Sequence, residues 1–479
     1  MDARLSGGRL GGVVQRSRHS RDVETAAAGS ALDSAPSTDS VDNASLRRVL
    51  PFVLVAALGA LLFGYHVSVV NAALAPLSAE LALHSATVQG AVVSAVLAGA
   101  CAGSFAGGPV ADTYGRAKAL RFAAVPLAVG ALLCGLANSA LPLLLGRLVT
   151  GFGVGVASGV VPLYISEIAP PKQRGLLGSI NQLTICTGIL IALVAGLPLA
   201  TYPGAWRTMF MAATVPAAAL FVLAGSMLPE SPTWLARAGR SAEANAAATR
   251  LWGADAAEES SGASDTSAGG GSSWAALVSP AHSRATLIAA GLFVIQQFAG
   301  INAVVYFSNT VFRAAGIQSD TLASAAVAMV NVTGTAAAAR ALDRAGRKPL
   351  LLWSFAGMGA SLAVLSAALT LPALEALAGP LSFLGTLSYV AAFAAGAGPV
   401  PALLVAELYP PALRGKGQSV AMASHWVCNF VVGQTFLAAV QAYGIGGVYA
   451  FFAAVCGLGV AFVATLVPET SSNTMASSS

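Results

Sequence analysis

Charge is what this sequence lacks. Asp, Glu, Lys and Arg make up only 9% of its 479 residues, while 56% are hydrophobic; soluble domains carry about 25% charged residues. A water-facing surface for a chain of this length cannot be built from so few charges. That excludes a cytosolic enzyme, a disordered-tail protein and a nucleic-acid binder. Cysteine is also scarce: Cys101, Cys134, Cys186, Cys428 and Cys456 all lie inside apolar runs, none as C-x-x-C. They read as small buried hydrophobes. The five histidines are scattered, no metal cluster is visible, and neither metal nor cofactor is expected.

What the chain has instead is long apolar runs. A helix crossing a bilayer needs roughly 20 such residues. Twelve runs qualify: 50–70, 88–111, 119–138, 141–165, 178–200, 208–228, 285–310, 321–340, 349–370, 381–406, 418–440 and 445–467. They are rich in Ala and Gly, which let helices approach closely where lipid gives no hydrophobic drive for association. The short alternating segments of a membrane β-barrel are absent. The expected fold is an all-α membrane protein with twelve transmembrane helices. It divides into a tail (1–49), a six-helix bundle (50–228), a linker with short helices and a Gly/Ser segment at 254–273 (229–284), a second six-helix bundle (285–467) and a short tail (468–479).

The basic residues orient these spans. Of the 25 Lys and Arg, 22 lie in the N-terminal tail or in connections on its side, Arg207 and Arg313 lie on the other side, and Arg147 falls near the start of a span. The positive-inside rule puts both termini on the inner side. The formal charge of +5 therefore reads as an orientation signal. Residues 1–21 hold five Arg and three Ser with a single acid, Asp2, which fits an organellar transit segment; a plain disordered tail is the alternative.

Three signatures occur twice. D-x-x-G-R appears at Asp112–Arg116 and Asp343–Arg347. E-x6-R-G appears at Glu167, Arg174 and at Glu407, Arg414. P-E-[ST] appears at Glu230 and at Glu469. The offsets, 231, 240 and 239 residues, are nearly constant. They imply two six-span halves in the same orientation, an alternating-access architecture in which the halves rock about a midplane site. The ten residues Asp112, Arg116, Glu167, Arg174, Glu230, Asp343, Arg347, Glu407, Arg414 and Glu469 share one depth. They are expected to form ion pairs across the halves that tie the inner ends together.

The segments GGPVADTYGR (107–116), GRLVTGFGVG (146–155), PLYISEIAPPKQRG (162–175), PESPTWL (229–235), QQFAGINAVVYF (296–307), DRAGRK (343–348) and GAGPVPALLVAELYP (396–410) resemble the sugar-porter family of the major facilitator superfamily. Within it, FGYH (63–66) and INQLTICTGILIALVAGLPLA (180–200) are similar to the plastidic glucose transporters of plants and algae. The resemblance implies a monomeric carrier of hexose, glucose first, in the inner envelope of a plastid; a plasma or vacuolar membrane is the alternative. It also implies the site. Sugars are neutral polyols, so amides that both donate and accept suit them, and polar groups within spans usually face a cavity. Gln182, Gln296, Gln297, Asn302, Asn331 and Asn429 match the family's sugar-binding positions. Gln297 and Asn302 lie 140° apart on a regular helix at 100° per residue, so Gly300 is expected to unwind the seventh span between them.

The resemblance has departures. The family's tenth-span Trp and Glu positions are Ala402 and Ala394, and an eleventh-span Asn is His425. His66 stands after Phe63-Gly64-Tyr65, where proton-driven members carry Asp and passive ones a neutral residue. Passive diffusion is the reading, with His66 a neutral hydrogen-bonding residue of the wall; because imidazole can titrate near neutral pH, proton symport is the alternative. Tyr306–Phe307 would supply a hydrophobic outer gate. A non-transporting sugar sensor would share the fold, but such proteins signal through long terminal domains. The G-x-G-x-G within 151–159 lies inside an apolar span with no preceding strand, so it reads as helix packing rather than a nucleotide loop, and no enzyme activity is expected.

Overall fold

The computed structural model describes residues 38–170, 173–200, 202–253, 274–317 and 319–469. Most of the expected leader, the Gly/Ser segment and most of the last tail lie outside the described residues. Among the described residues, eleven helices are long and apolar enough to cross a membrane. One of them, Leu413–Leu466, contains Gly444 at φ 74°, ψ 160°, outside helical geometry. Phe436 and Phe452, on either side of that point, stack with centroids 6.5 Å apart. Sixteen residues of straight helix would separate them by about 24 Å. The chain therefore doubles back at Gly444 into an eleventh and a twelfth span, and the bundle has twelve.

Several boundaries differ from those the apolar runs predict. The first helix, Thr38–Glu80, outruns its apolar stretch at both ends and runs on through Pro76. The seventh span is two helices, Ser283–Phe298 and Ile301–Ala314, separated at Gly300 (φ 92°, ψ 10°). The tenth span is also two helices, Ala378–Ala395 and Val400–Leu408, with Gly396–Pro399 between them. Two short helices, Pro232–Arg237 and Ser241–Trp252, sit against the first half. Trp252 donates its indole N–H to the Ile168 carbonyl at 2.9 Å.

Small residues do the packing within each half, as lipid-embedded helices require. Gly99 and Gly103 of the second span lie against the backbone at Leu148 and Phe152 of the fourth, and Gly151 and Gly155 of the fourth lie against Val96 and Ala100 of the second. This interlock is the work of the glycine-rich segment at 151–159.

The repeated charged motifs lie at one end of the bundle, here called the motif end. The halves meet toward the opposite, far end. There Ile189 and Leu193 of the fifth span pack with Ala325 and Ala328 of the eighth. The second span meets the eleventh where Ser94 donates to the Gln434 carboxamide at 2.7 Å.

The Gly300 break positions the site, and a side chain there meets two obstacles. Its φ of 92° is left-handed, and a Cβ would run into the ring of Phe452. Such backbone positions cost non-glycine residues about 1–3 kcal/mol. Gly300→Ala is expected to lower the unfolding temperature in detergent by several degrees relative to Gly457→Ala, a position with open space around it.

Candidate functional site

A helix broken inside lipid frees backbone groups that must find partners within the protein. The two breaks in the second half satisfy each other. At the tenth-span break, residue 401 is a proline and has no N–H to give the carbonyl four residues earlier, that of Ala397. Gln296 of the seventh span donates to that carbonyl at 2.5 Å. At the seventh-span break, the Ala299 carbonyl accepts the hydroxyl of Tyr389 from the tenth span at 2.9 Å. Ser354 of the ninth span completes the join, accepting from the Ala397 N–H at 2.8 Å and donating to the Ala392 carbonyl at 2.7 Å.

A chain of amides grows from this join. Gln297 donates through Nε2 to Gln296 Oε1 at 3.1 Å, and the same nitrogen lies 2.8 Å from Nδ1 of His425 on the eleventh span. Asn302 donates through Nδ2 to Gln297 Oε1. The unwound turn at Gly300 thus brings Asn302 back over Gln297. Gln296 and Gln297 are buried, while Asn302 and His425 are partly exposed. Phe293 and Trp426 pack edge-on against the His425 ring, with centroids 5.7 and 4.9 Å away. Trp426 also reaches the other half, its ring 5.6 Å from that of Phe63 on the first span. The result is an uncharged polar cluster against an aromatic wall, near the middle of the bundle.

The other sequence-predicted residues are distributed around it. Asn429, one turn beyond His425, accepts the Tyr306 hydroxyl at 2.9 Å. Tyr306 and Phe307 are both fully buried, and Phe307 stacks on Phe436 at 4.7 Å. Asn331 is buried beside a crevice lined by Ile189, Ile301 and Val305. Gln182 reaches Cys186 Sγ at 3.7 Å, and that thiol lies 3.6 Å from Thr335 Oγ1 of the other half. Among the described residues, no hydrogen bond joins Gln182 or Asn331 to the amide cluster. His66 lies in the first span with Nε2 buried and without a hydrogen-bond partner. Its carbonyl accepts from Arg147 at 2.6 Å. Arg147, itself wholly buried, also donates to the Val92 and Val93 carbonyls at 3.1 and 3.4 Å. Of the departures, Ala394 packs against Gly334 and Ala402 is exposed.

Sequence reasoning missed the far-end seal. Asn71 of the first span donates to Val305 O at 2.8 Å and Ser308 Oγ at 2.7 Å, and accepts from the Asn309 N–H at 3.1 Å. Ser308 continues to Ser324 Oγ at 2.7 Å. The available signal was the same one used elsewhere, a lone amide in an apolar run. Tyr389 and Ser354 gave no such signal, because only the fold shows which carbonyls need them.

At the motif end, several of these residues pair inside each half. Arg116, 2% exposed, binds Glu167 through Nε at 2.9 Å and through a terminal nitrogen at 3.1 Å, and lies 3.1 Å from Asp112. Glu230 caps the third span, accepting from the N–H groups of Arg116 at 2.7 Å and Ala117 at 3.2 Å. The second half repeats the pattern. Arg347 pairs with Glu407 at 3.1 Å, and Glu469 caps the ninth span through the N–H groups of Arg347 at 2.9 Å and Lys348 at 3.1 Å. The physical reason is geometric: a carboxylate following the last span of each half reaches the helix N-terminus beside it, where the backbone dipole favours negative charge. The preceding glycines, Gly115 (φ 98°) and Gly346 (φ 79°), keep that approach clear of a Cβ. Arg414 is exposed, and the side chains of Arg174 and Asp343 lie outside the described set.

Comparison with known proteins agrees with this geometry. The profile of the family described as "Sugar (and other) transporter" matches residues 52–478. Plastidic glucose transporter 4 of Arabidopsis thaliana is 48% identical over 431 residues, covering 88% of this chain and 78% of that protein. The D-xylose transporter of Levilactobacillus brevis is 33% identical over 421 residues, covering 86% and 91%. Among solved structures, the partially occluded inward-open form of the E. coli xylose transporter XylE superposes with a TM-score of 0.76 at 26% identity, covering 88% of this chain and all of that one. The XylE proton:xylose symporter bound to 6-bromo-6-deoxy-D-glucose gives 0.71 at 28% identity, covering 88% and 97%. This chain is a multi-pass membrane protein of the sugar-porter family of the major facilitator superfamily.

Proposed function

We propose that the chain carries hexose, glucose first, across a membrane by facilitated diffusion and alternating access. The observation that carries the reading is the uncharged cluster of Gln296, Gln297, Asn302 and His425 at the join of two broken helices. A neutral polyol needs donors and acceptors fixed in direction, and this cluster supplies them without a charge that would hold an ion. The plastidic glucose transporters among the relatives support glucose and an inner plastid envelope. The basic excess at the motif end supports that end facing the cytosol or stroma, with both termini there. Under that orientation the molecule is closed outward by the Asn71 seal and by Phe307, in keeping with its likeness to inward-open XylE. A single chain encloses the whole site, so a monomer suffices.

The placement of the acids supports passive transport. Not one of the 20 Asp and Glu falls in the apolar interior of a span. No carboxylate is available there to take up a proton with the sugar. His66 supports the second reading, proton symport, since its ring lies buried in the first span with Nε2 unpartnered, and XylE is described as a proton:xylose symporter.

The test is flux in proteoliposomes of the purified chain. Labelled glucose should exchange by counterflow but should not accumulate under an imposed pH gradient. Accumulation that disappears in His66→Gln would replace the passive reading with symport. Absence of any sugar flux from correctly inserted protein would remove the transport reading altogether.

Gln297 joins three of the cluster's members, so its loss should be the most damaging. Gln297→Ala is expected to weaken apparent glucose affinity tenfold or more, about 1.4 kcal/mol or above, with expression and thermal stability largely kept. Unchanged half-saturation would move the site elsewhere.

A further inference from the structure

The amide cluster has a direction, and one backbone atom sets it. A carbonyl oxygen can only accept, so the Ala397 oxygen obliges Gln296 to turn its Nε2 toward it, as the 2.5 Å contact shows. The opposite flip would bring two oxygens together. Gln296 Oε1 is then the group that faces Gln297, and it too can only accept. Gln297 must therefore present Nε2 to it, at 3.1 Å. That NH2 group has two protons. One is spent on Gln296, and the other points at Nδ1 of His425, 2.8 Å away. A ring nitrogen that receives an N–H is unprotonated, so in the neutral ring the proton must sit on Nε2. Gln297 Oε1, on the other side, receives Asn302 Nδ2.

We infer that the Ala397 carbonyl, left free by Pro401, polarises the whole cluster and holds His425 as its Nε2–H tautomer, making His425 an obligate donor that selects for an accepting hydroxyl oxygen on the sugar. The inference rests on the proposed transport of a hexose. Among the described residues, nothing is hydrogen-bonded to His425 Nε2; the ring is partly exposed, and that nitrogen is not among the sealed, partnerless atoms. The neighbouring rings of Phe293 and Trp426 lie near perpendicular to the imidazole, with centroids 5.7 and 4.9 Å away, and neither offers a bond to that nitrogen. A reversed chain would have made the same nitrogen an acceptor, and the site would then read the hydroxyl proton instead. Selectivity at this point is thus set by a proline on another span.

Two measurements test this. The first is competition of deoxy- and deoxyfluoro-glucose series against labelled glucose in proteoliposomes. A fluorine still accepts, while a deoxy position does neither. At one ring position the fluoro sugar should compete about tenfold better than the deoxy sugar, the worth of one hydrogen bond. His425→Phe should erase that gap, and His425→Gln, which keeps an acceptor and a donor, should retain it. A gap that persists in His425→Phe, or uniform weakening toward every analogue, overturns the assignment. The second is the 15N spectrum of the histidine-labelled full chain in lipid bilayers, with His425→Gln identifying the signal. The proton is expected on Nε2; a proton on Nδ1 overturns the proposal even if His425→Phe proves inactive. Because this reading needs no transport, it separates failure of the polarity from failure of the hexose assignment.

Discussion

A helix can be broken inside a bilayer only if every freed backbone group is received by the protein, since each one left bare costs several kcal/mol. That constraint organises the second half of this molecule. Gly300 and Pro401 break the seventh and tenth spans, and each break is repaired by the other span: Gln296 takes the Ala397 carbonyl, and Tyr389 takes the Ala299 carbonyl. Gln296, which repairs one of the breaks, also begins the polar cluster. The site is therefore where it is because the backbone there needs side-chain amides and hydroxyls, and the same groups that meet that need have spare valences for a permeant.

The motif-end charges brace each half from within. Arg116 with Glu167, and Arg347 with Glu407, tie spans within a half, while Glu230 and Glu469 fasten the end of each half to a helix N-terminus. Each half becomes a unit able to move whole. At the far end the described residues join the halves through a few neutral hydrogen bonds around Asn71 and Gln434 and a small apolar patch. Neutral hydrogen bonds net about 0.5–1.5 kcal/mol each. A seal of that kind lies within the few kcal/mol that differential binding of a permeant can shift. Firm halves and a soft seam are what rocking requires.

Much of this was legible in the sequence. Twelve apolar runs, the twofold motifs and their near-constant spacing carried the fold, because lipid makes hydropathy decisive. The 140° discrepancy between Gln297 and Asn302 led to the Gly300 break, which the structure shows. Three things were not legible. The long helix across Gly444 and the split tenth span depend on local backbone geometry that an apolar run does not encode. The partners of Arg116 and Arg347 depend on which half each carboxylate folds back on, and equal depth says nothing of that. Tyr389 and Ser354 matter only because particular carbonyls lack helical partners, which becomes visible once the break is placed to the residue.

Charge is kept out of the centre with some consistency, and the exception is instructive. Arg147 is wholly buried, yet it spends its guanidinium on three backbone carbonyls, those of His66, Val92 and Val93. It thereby joins the first, second and fourth spans, with its charge dispersed over dipoles that cannot leave. The central cluster is discriminating for a related reason. Its orientation is anchored to a carbonyl of the main chain, which can only accept. A neutral ligand with several hydroxyls is recognised by the order of donors and acceptors around it, and here that order is inherited from the direction of the polypeptide at the tenth-span break.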